Sequence, residues 1–363
     1  MMSKAAVVLR SEEKIRKAYE QTEILLSSIT SILIGVGENG LITHWNAFAE
    51  KTFGTPSASV INQPFKDCPI AWDIGILLTG LANCRKKESP VRLDDVSYAR
   101  SNGQKGFLGF TAIPLRHPEG HLQYILYGAD ITERRRIEEF KSEFVGTVSH
   151  ELRTPLMVIK EGVSQVTDGI FGEINPKQKR SLSLVLEAIN RLAGMVDDLL
   201  DISKLEAGKL TLKKTRVDLI TLAKEAVSTF NSLAQIKSLE IKTFFPEKPV
   251  EIYVDQKKIA QVFSNLISNA IKFTDKGKIE ISVVEKEKFI ECSVSDMGCG
   301  IAQEDFPKLF TKFQQFHCRP GVEEKGTGLG LAICKGIVEL HHGTIRATSQ
   351  LGEGSCFIFS LPK

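Results

Sequence analysis

The segment Ser149-His150-Glu151-Leu152-Arg153-Thr154-Pro155-Leu156 gathers an imidazole, a carboxylate and a hydroxyl within five residues. On a helix, His150 and Thr154 are one turn apart and share a face, and that face avoids the apolar stripe of Val148, Leu152 and Leu156. The imidazole is therefore expected to reach solvent. Pro155 removes the hydrogen bond to the Glu151 carbonyl and crowds it, so the backbone is expected to bend or loosen beside the histidine. Neutral imidazole is nucleophilic near neutral pH and can attack phosphorus directly. A carboxylate next to it can accept the other ring N–H, fix the tautomer and stabilise the charge that develops during attack, which makes Glu151 the candidate base. A lone His-Glu pair is far more often an ion-paired surface, so the signal lies in the whole string.

A second cluster, Asn265-Leu-Ile-Ser-Asn269-Ala-Ile-Lys272, is placed on a helix by Ile259, Val262, Phe263, Leu266, Ala270 and Phe273. Asn265, Asn269 and Lys272 are four and three apart and face one way. A carboxamide oxygen is a hard ligand that suits Mg²⁺, and an ammonium suits phosphate. Downstream, Asp296-Met-Gly298-Cys-Gly300 follows a strand-like run, putting a carboxylate that can read an amino group beside glycines that let a ligand approach. Gly326-Thr-Gly328-Leu-Gly330 then precedes a helical pattern, and its backbone N–H groups can cradle phosphates. No strand directly precedes this loop and no Gly-Lys-Ser/Thr follows, so neither the dinucleotide fingerprint nor the P-loop fits.

The string around His150 resembles the phospho-acceptor box of the histidine kinase dimerisation domain. The resemblance implies that His150 is the phospho-acceptor, Glu151 its base and Thr154 the residue that positions water for dephosphorylation. The order of the Asn-bearing helix, Asp296-x-Gly298-x-Gly300, Phe306-Pro-Lys-Leu-Phe310-Thr-Lys-Phe313, the glycine loop and Gly352-Glu-Gly354 resembles the Bergerat ATP-binding fold of histidine kinases, gyrase, Hsp90 and MutL. It implies ATP held by Asn265, Asn269, Lys272, Asp296, Gly298, Gly300, Gly326, Gly328 and Gly330, with Mg²⁺ on Asn269 and with the phenylalanine segment 306–313 and the polar stretch 314–325 forming a lid. A strand ending in Asp130-Ile131-Thr132 and leading into a charged helix resembles the PAS sensor domain. Together these resemblances imply a PAS-containing sensor histidine kinase that would phosphorylate His150 and pass the phosphoryl group to an aspartate on a response regulator receiver domain. Phosphatase activity on the phospho-regulator is also implied. Nothing in the sensor region names its ligand.

The elements that must position these residues follow from periodicity. Spacings of three and four over residues 11–28 predict a lead-in helix, and Asn39-Gly40 between two apolar runs predicts a β-hairpin. Strand-like runs at 91–98, 107–115 and 124–129 complete a two-strands, helices, three-strands order. From Ile137 to Val166 apolar residues recur at helical spacing, and they do so again from Leu182 to Ile202 after a turn containing Gly169, Gly172 and Pro176. Two helices cannot enclose a core, so a homodimer that pairs two hairpins into a four-helix bundle is expected. Beyond residue 211, strand-like segments at 239–245, 279–284, 290–294, 344–347 and 355–361 alternate with helical ones. The expected fold is multidomain α+β: an N-terminal helix (1–26), a PAS-like sensor (27–132), a signalling helix and helical-hairpin dimerisation bundle (133–210), and a Bergerat-type α/β sandwich ATP-binding domain (211–363).

Composition narrows the alternatives. A net charge of +3 is too small for nucleic-acid binding or a polybasic membrane anchor. No run approaches the roughly 20 apolar residues of a membrane span, and the seven scattered cysteines form no metal-ligand pattern, which suits free thiols in the cytoplasm. Two rivals remain. A clamp-type ATPase would lack the His150 box and the hairpin, and a silent scaffold that holds ATP only as a structural ligand would have no need of complete motifs.

Overall fold

The computed structural model describes residues 30–100, 103–116, 122–315 and 326–363. The helix expected over 11–28, the turns at Ser101-Asn102 and Pro118-Glu119-Gly120, and nearly all of the 314–325 stretch lie outside these residues. The chain divides into two compact units, Met1–Glu139 and Phe140–Lys363.

In the first unit, β1 (Ile32–Gly37) and β2 (Ile42–Trp45) form the hairpin announced by Asn39-Gly40. Gly40 adopts φ +78° and the Asn39 side chain accepts the Leu41 N–H at 3.1 Å. Helices α1 (Ala47–Phe53), α2 (Ser57–Val60) and α3 (Ile74–Lys87) intervene before β3 (Val91–Ala99), β4 (Lys105–Arg116) and β5 (Leu122–Asp130). The strands make one antiparallel sheet in the order β2-β1-β5-β4-β3. Its alternating residues Ile34, Leu108, Phe110 and Leu126 are fully buried. Both tryptophans sit in this core: Trp45 and Trp72 lie 5.4 Å each from the Phe53 ring and 6.5 Å from one another.

Asp130-Ile131-Thr132 ties the end of this sheet to the next helix, α4 (Thr132–Thr167). Asp130 Oδ2 accepts the Tyr98 hydroxyl and the Arg100 guanidinium, both at 2.6 Å, while Oδ1 accepts the Thr132 N–H at 2.8 Å. The Thr132 hydroxyl in turn accepts the Phe107 N–H at 2.8 Å. One turn on, Arg135 lies 4.0 Å over the Phe107 ring and pairs with Asp95 at 2.6 Å. The triplet is therefore a junction of hydrogen bonds that joins three strands to a helix start.

In the second unit, α4 and α5 (Pro176–Glu206) form the helical hairpin. Asn175 and Gln178 make a reciprocal capping box and Pro176 sits at the first helical position, a strong start signal. The hairpin buries Ile189, Val196 and Leu200 but leaves Phe140, Phe144, Leu152, Leu184 and Leu192 exposed. The helix runs uninterrupted across Pro155, so the expected loosening is not a break. Only one carbonyl loses its partner, and that of the exposed Glu151 can bond water.

The remaining elements are β6 (Thr215–Asp218), α6 (Leu219–Ile236), β7 (Glu240–Phe244), β8 (Glu251–Val254), α7 (Gln256–Phe273), β9 (Lys278–Glu285), β10 (Phe289–Asp296), α8 (Gly330–Leu340), β11 (Thr344–Gln350) and β12 (Gly354–Pro362). A five-stranded sheet, β11-β12-β10-β9-β7, is antiparallel except for the β7–β9 pair. The apolar faces of α6, α7 and α8 share one core with it, with the Phe263 and Phe359 rings 5.2 Å apart edge to face. The chain is thus multidomain α+β, its last domain an α/β sandwich. The two-stranded β6–β8 sheet was not expected. Among the described residues no helix is long and apolar enough to cross a membrane. Cys68, Cys84, Cys292, Cys334 and Cys356 are free, whereas Cys299 is disulfide-bonded, contrary to the free-thiol expectation.

His341 locks the sandwich near the start of α7. Its Nε2 accepts the Asp255 N–H at 3.0 Å, so Nδ1 carries the proton and donates to the Ile337 carbonyl at 2.8 Å. Burial holds its pKa below the ordinary value of 6.5. The unfolded chain therefore binds the proton more readily, and stability present above the unfolded pKa is lost progressively as pH falls from that value through the lowered folded pKa. Lowering pH from 7.5 to 5.5 should weaken amide-exchange protection in β10 and β12, by up to about 1.4 kcal/mol per pH unit below the unfolded value. His341→Gln should flatten that dependence. An equal acid slope in variant and wild type would show that His341 is not its source.

Candidate functional site

Helix α7 begins at Asp255, whose side chain accepts the Lys258 N–H, and buries Ile259, Val262, Phe263, Leu266 and Ile267. The opposite face presents Asn265, Asn269 and Lys272 to a cavity of about 340 Å³. Asp296, Gly300, Gly326, Gly328 and Gly330 line the same cavity. Residues spread over more than 60 positions of sequence thus converge on one space. Gly298 does not line it. A Cβ there would lie 2.5 Å from the Phe273 carbonyl oxygen, so Gly298 lets the Asp296 loop pack on the end of α7.

Asp296 ends β10 and is nearly buried. Its Oδ1 accepts the Gly298 N–H at 2.8 Å and the Ser355 N–H at 3.3 Å. Burial raises its pKa while these two N–H groups oppose the shift. With Oδ1 engaged, Oδ2 is left to accept from a donor such as an exocyclic amine. Across the cavity, α8 starts at Gly330 without a side-chain cap on its first N–H groups, an arrangement that favours an anion. The loop before it is held by the Phe313 N–H to the Gly328 carbonyl at 2.9 Å and by Gln315 to the Gly326 carbonyl at 2.8 Å. The cavity therefore has an acceptor at one end and uncapped amides with a lysine at the other, which suits an aminated base joined to phosphates.

One lining residue escaped the sequence reading. Asp198 belongs to α5 of the hairpin, not to the sandwich, and accepts the Thr327 hydroxyl at 3.3 Å across 129 residues of sequence. No spacing rule links positions so far apart.

His150, Glu151 and Thr154 lie on exposed positions of α4. The Thr154 hydroxyl is 3.4 Å from the His150 carbonyl, a long bond that leaves it available. Arg153 bonds Asp197 of α5 at 2.5 Å and so ties the two helices beside the histidine. Ser149, one residue before it, is buried with an unpartnered hydroxyl.

Comparison with known proteins gives three family matches in chain order. Residues 26–136 match the PAS fold, residues 140–208 the His Kinase A (phospho-acceptor) domain, and residues 254–363 the histidine kinase-, DNA gyrase B- and HSP90-like ATPase domain. The chain has the architecture of a PAS-containing sensor histidine kinase. Within that architecture the α4–α5 hairpin falls in the match to the phospho-acceptor domain, and the cavity, Asp198 apart, is lined from the match to the ATPase domain. The non-motile and phage-resistance protein of Caulobacter vibrioides is 35% identical over 65% of this chain and 29% of its own length. Sensor protein SrrB of Staphylococcus aureus is 34% identical over 64% of this chain and 40% of its own. The chain thus spans well under half the length of these curated relatives. A solved structure of full-length ShkA in complex with AMPPNP is similar to 61% of this chain and 45% of that one, with 26% identity and a TM-score of 0.50.

Proposed function

We propose that this sensor kinase moves the γ-phosphoryl group of ATP to a ring nitrogen of His150 and then to an aspartate on a response regulator receiver domain. The observation that carries the reading is the convergence of Asn265, Asn269, Lys272 and Asp296 on one cavity in a chain that also exposes His150. Asp296 reads the adenine amino group, and Lys272 with the α8 amides holds phosphate. Among the described residues no cluster of three or more His, Cys, Asp or Glu could cage a metal. Mg²⁺ would be held by the Asn269 carboxamide oxygen, a hard donor on the cavity wall, together with the phosphates. When bound, the ion neutralises charge on the phosphates. The nucleophile is His150. Glu151 accepts the other ring N–H and balances the charge that develops as the phosphorus–nitrogen bond forms.

The exposed apolar residues of α4 and α5 support a homodimer joined through the hairpin, and the reaction's need for ATP supports the cytoplasm as its place. The division into helix (1–26), sensor (27–132), hairpin (133–210) and ATP-binding domain (211–363) stays part of this proposal. The direct test is acid-labile phosphate on the purified chain after incubation with Mg-ATP. Its absence would overturn the reading.

Thr154 extends the proposal to the reverse flow of phosphate. It stands one turn beyond His150 on the same face, where its hydroxyl can aim water at a docked partner's phospho-aspartate. Thr154→Ala should leave autophosphorylation within a few-fold of wild type while slowing dephosphorylation of the regulator by roughly 100-fold, the usual scale of such assistance. Parallel loss of both rates with a lower melting temperature would mean that Thr154 only supports the helix before Pro155.

A further inference from the structure

The hairpin reaches into the ATP cavity through Asp198, and that intrusion of an acid is unexplained by nucleotide binding. The adjacent acids of α5 each have a cation. Asp197 pairs with Arg153, and Asp201 pairs with Lys258 Nζ at 2.7 Å and with Gln261 at 2.8 Å. Asp198 has instead a hydroxyl, that of Thr327, at 3.3 Å. That hydroxyl oxygen also accepts the Leu329 N–H at 3.1 Å, so the carboxylate grips the turn that opens α8. The other groups facing it are Cys334 of α8, the Asp197 and Asp201 carboxylates on its own helix, and, across the cavity on α7, Lys272. An ideal Cβ on Gly326 would stand 3.1 Å from Lys272 Nζ, which sets the lysine against the same loop.

The phosphates of a nucleotide held by Lys272, the glycine loop and the α8 amides would share this space with the Asp198 carboxylate. Like charges in a confined, partly dehydrated cavity repel strongly. We propose that Asp198 is the gate of the nucleotide site: its carboxylate clasps the glycine loop through Thr327, and polyphosphate entering the cavity forces it to release the loop or take up a proton. Because Asp198 belongs to α5, nucleotide binding then loosens the ATP-binding domain from the hairpin that carries His150. Burial, reinforced by Asp201 and Asp197 against the Thr327 bond, already raises the Asp198 pKa, which makes protonation the accessible route. The inference rests on the cavity being the ATP site.

The test is calorimetric titration of the full chain with Mg-AMPPNP at pH 6 and pH 8, in two buffers of different ionisation enthalpy. Wild type is compared with Asp198→Asn and Asp198→Ala, whose melting temperatures verify folding. At pH 8 both variants should bind about 10-fold more tightly than wild type, a gain of about 1.4 kcal/mol from relieved repulsion. They should also lose the proton uptake that wild type shows on binding. Affinity and proton uptake equal to wild type in both variants overturn the gate, and weaker binding in both overturns it by making Asp198 a ligand. Asn269→Ala separates failure of the gate from failure of the nucleotide site on which it rests. If it binds as wild type does, or if wild type binds nothing, the ATP reading fails along with the gate. If it alone loses binding while the Asp198 variants match wild type, only the gate fails.

Discussion

His150→Gln should reduce autophosphorylation to background, a loss of roughly 10⁴-fold or more, because the amide has no nucleophilic lone pair to offer phosphorus and no other described group replaces it. The side chain is exposed on α4, so the substitution should alter stability by no more than about 0.5 kcal/mol. ATP affinity should stay near wild type because His150 does not line the cavity. Incubation with labelled ATP followed by acid and alkali treatment reads the first expectation, since phosphohistidine is lost in acid and survives in base. Titration with AMPPNP reads the last. Base-stable label retained on the variant would place the acceptor elsewhere in the chain.

Gly300→Ala should act as severely by a different route. Gly300 adopts φ +70°, where an L side chain is strained, and a Cβ there would lie 2.1 Å from the Gln350 carbonyl oxygen and 3.0 Å from Leu351 Cα. Both obstacles are backbone, so no side chain can swing aside. The strained φ costs about 1 kcal/mol and the displaced backbone another 1–3 kcal/mol. For a domain of this size that corresponds to a melting temperature lower by roughly 10 °C. Nucleotide binding should fall further than stability, because the loop that must move also carries the cavity wall beside Asp296. Wild-type melting and AMPPNP affinity in the variant would show that the loop is softer than its contacts imply.

Much of the architecture was legible because it obeys short-range rules. The three-and-four spacing of Asn265, Asn269 and Lys272 sets them on one face of α7 wherever that helix lies, and the burial of Val262, Phe263 and Leu266 chooses the face. Alternation over the 8 residues of β9 and of β10 is long enough to read. The 4-residue strands β6 and β8 are not, and they exist only because they pair with each other. Gly298 was grouped with the cavity glycines by motif, whereas its contact with the Phe273 carbonyl is a packing requirement visible only in three dimensions. Asp198 escaped for the same reason. Its partner is remote in sequence, and on α5 it looks like any other acid on a solvated helix face. Pro155 lies inside α4 without ending it, because its single missing hydrogen bond falls on an exposed face that water can satisfy.

The placement of Trp45 and Trp72 makes the molecule's intrinsic fluorescence a private channel of its sensor. They are the chain's two tryptophans, and both pack against Phe53 in the aromatic cluster of the first unit, Trp45 tilted and Trp72 edge-on. Excitation at the red edge of protein absorbance therefore reports on that core alone. A signal molecule that rearranges it will shift or quench the emission, and the unlabelled protein can be screened against candidate signals by this property. The cavity is lined by residues of the other unit alone, so any change in emission on adding nucleotide would measure communication from the kinase end back to the sensor.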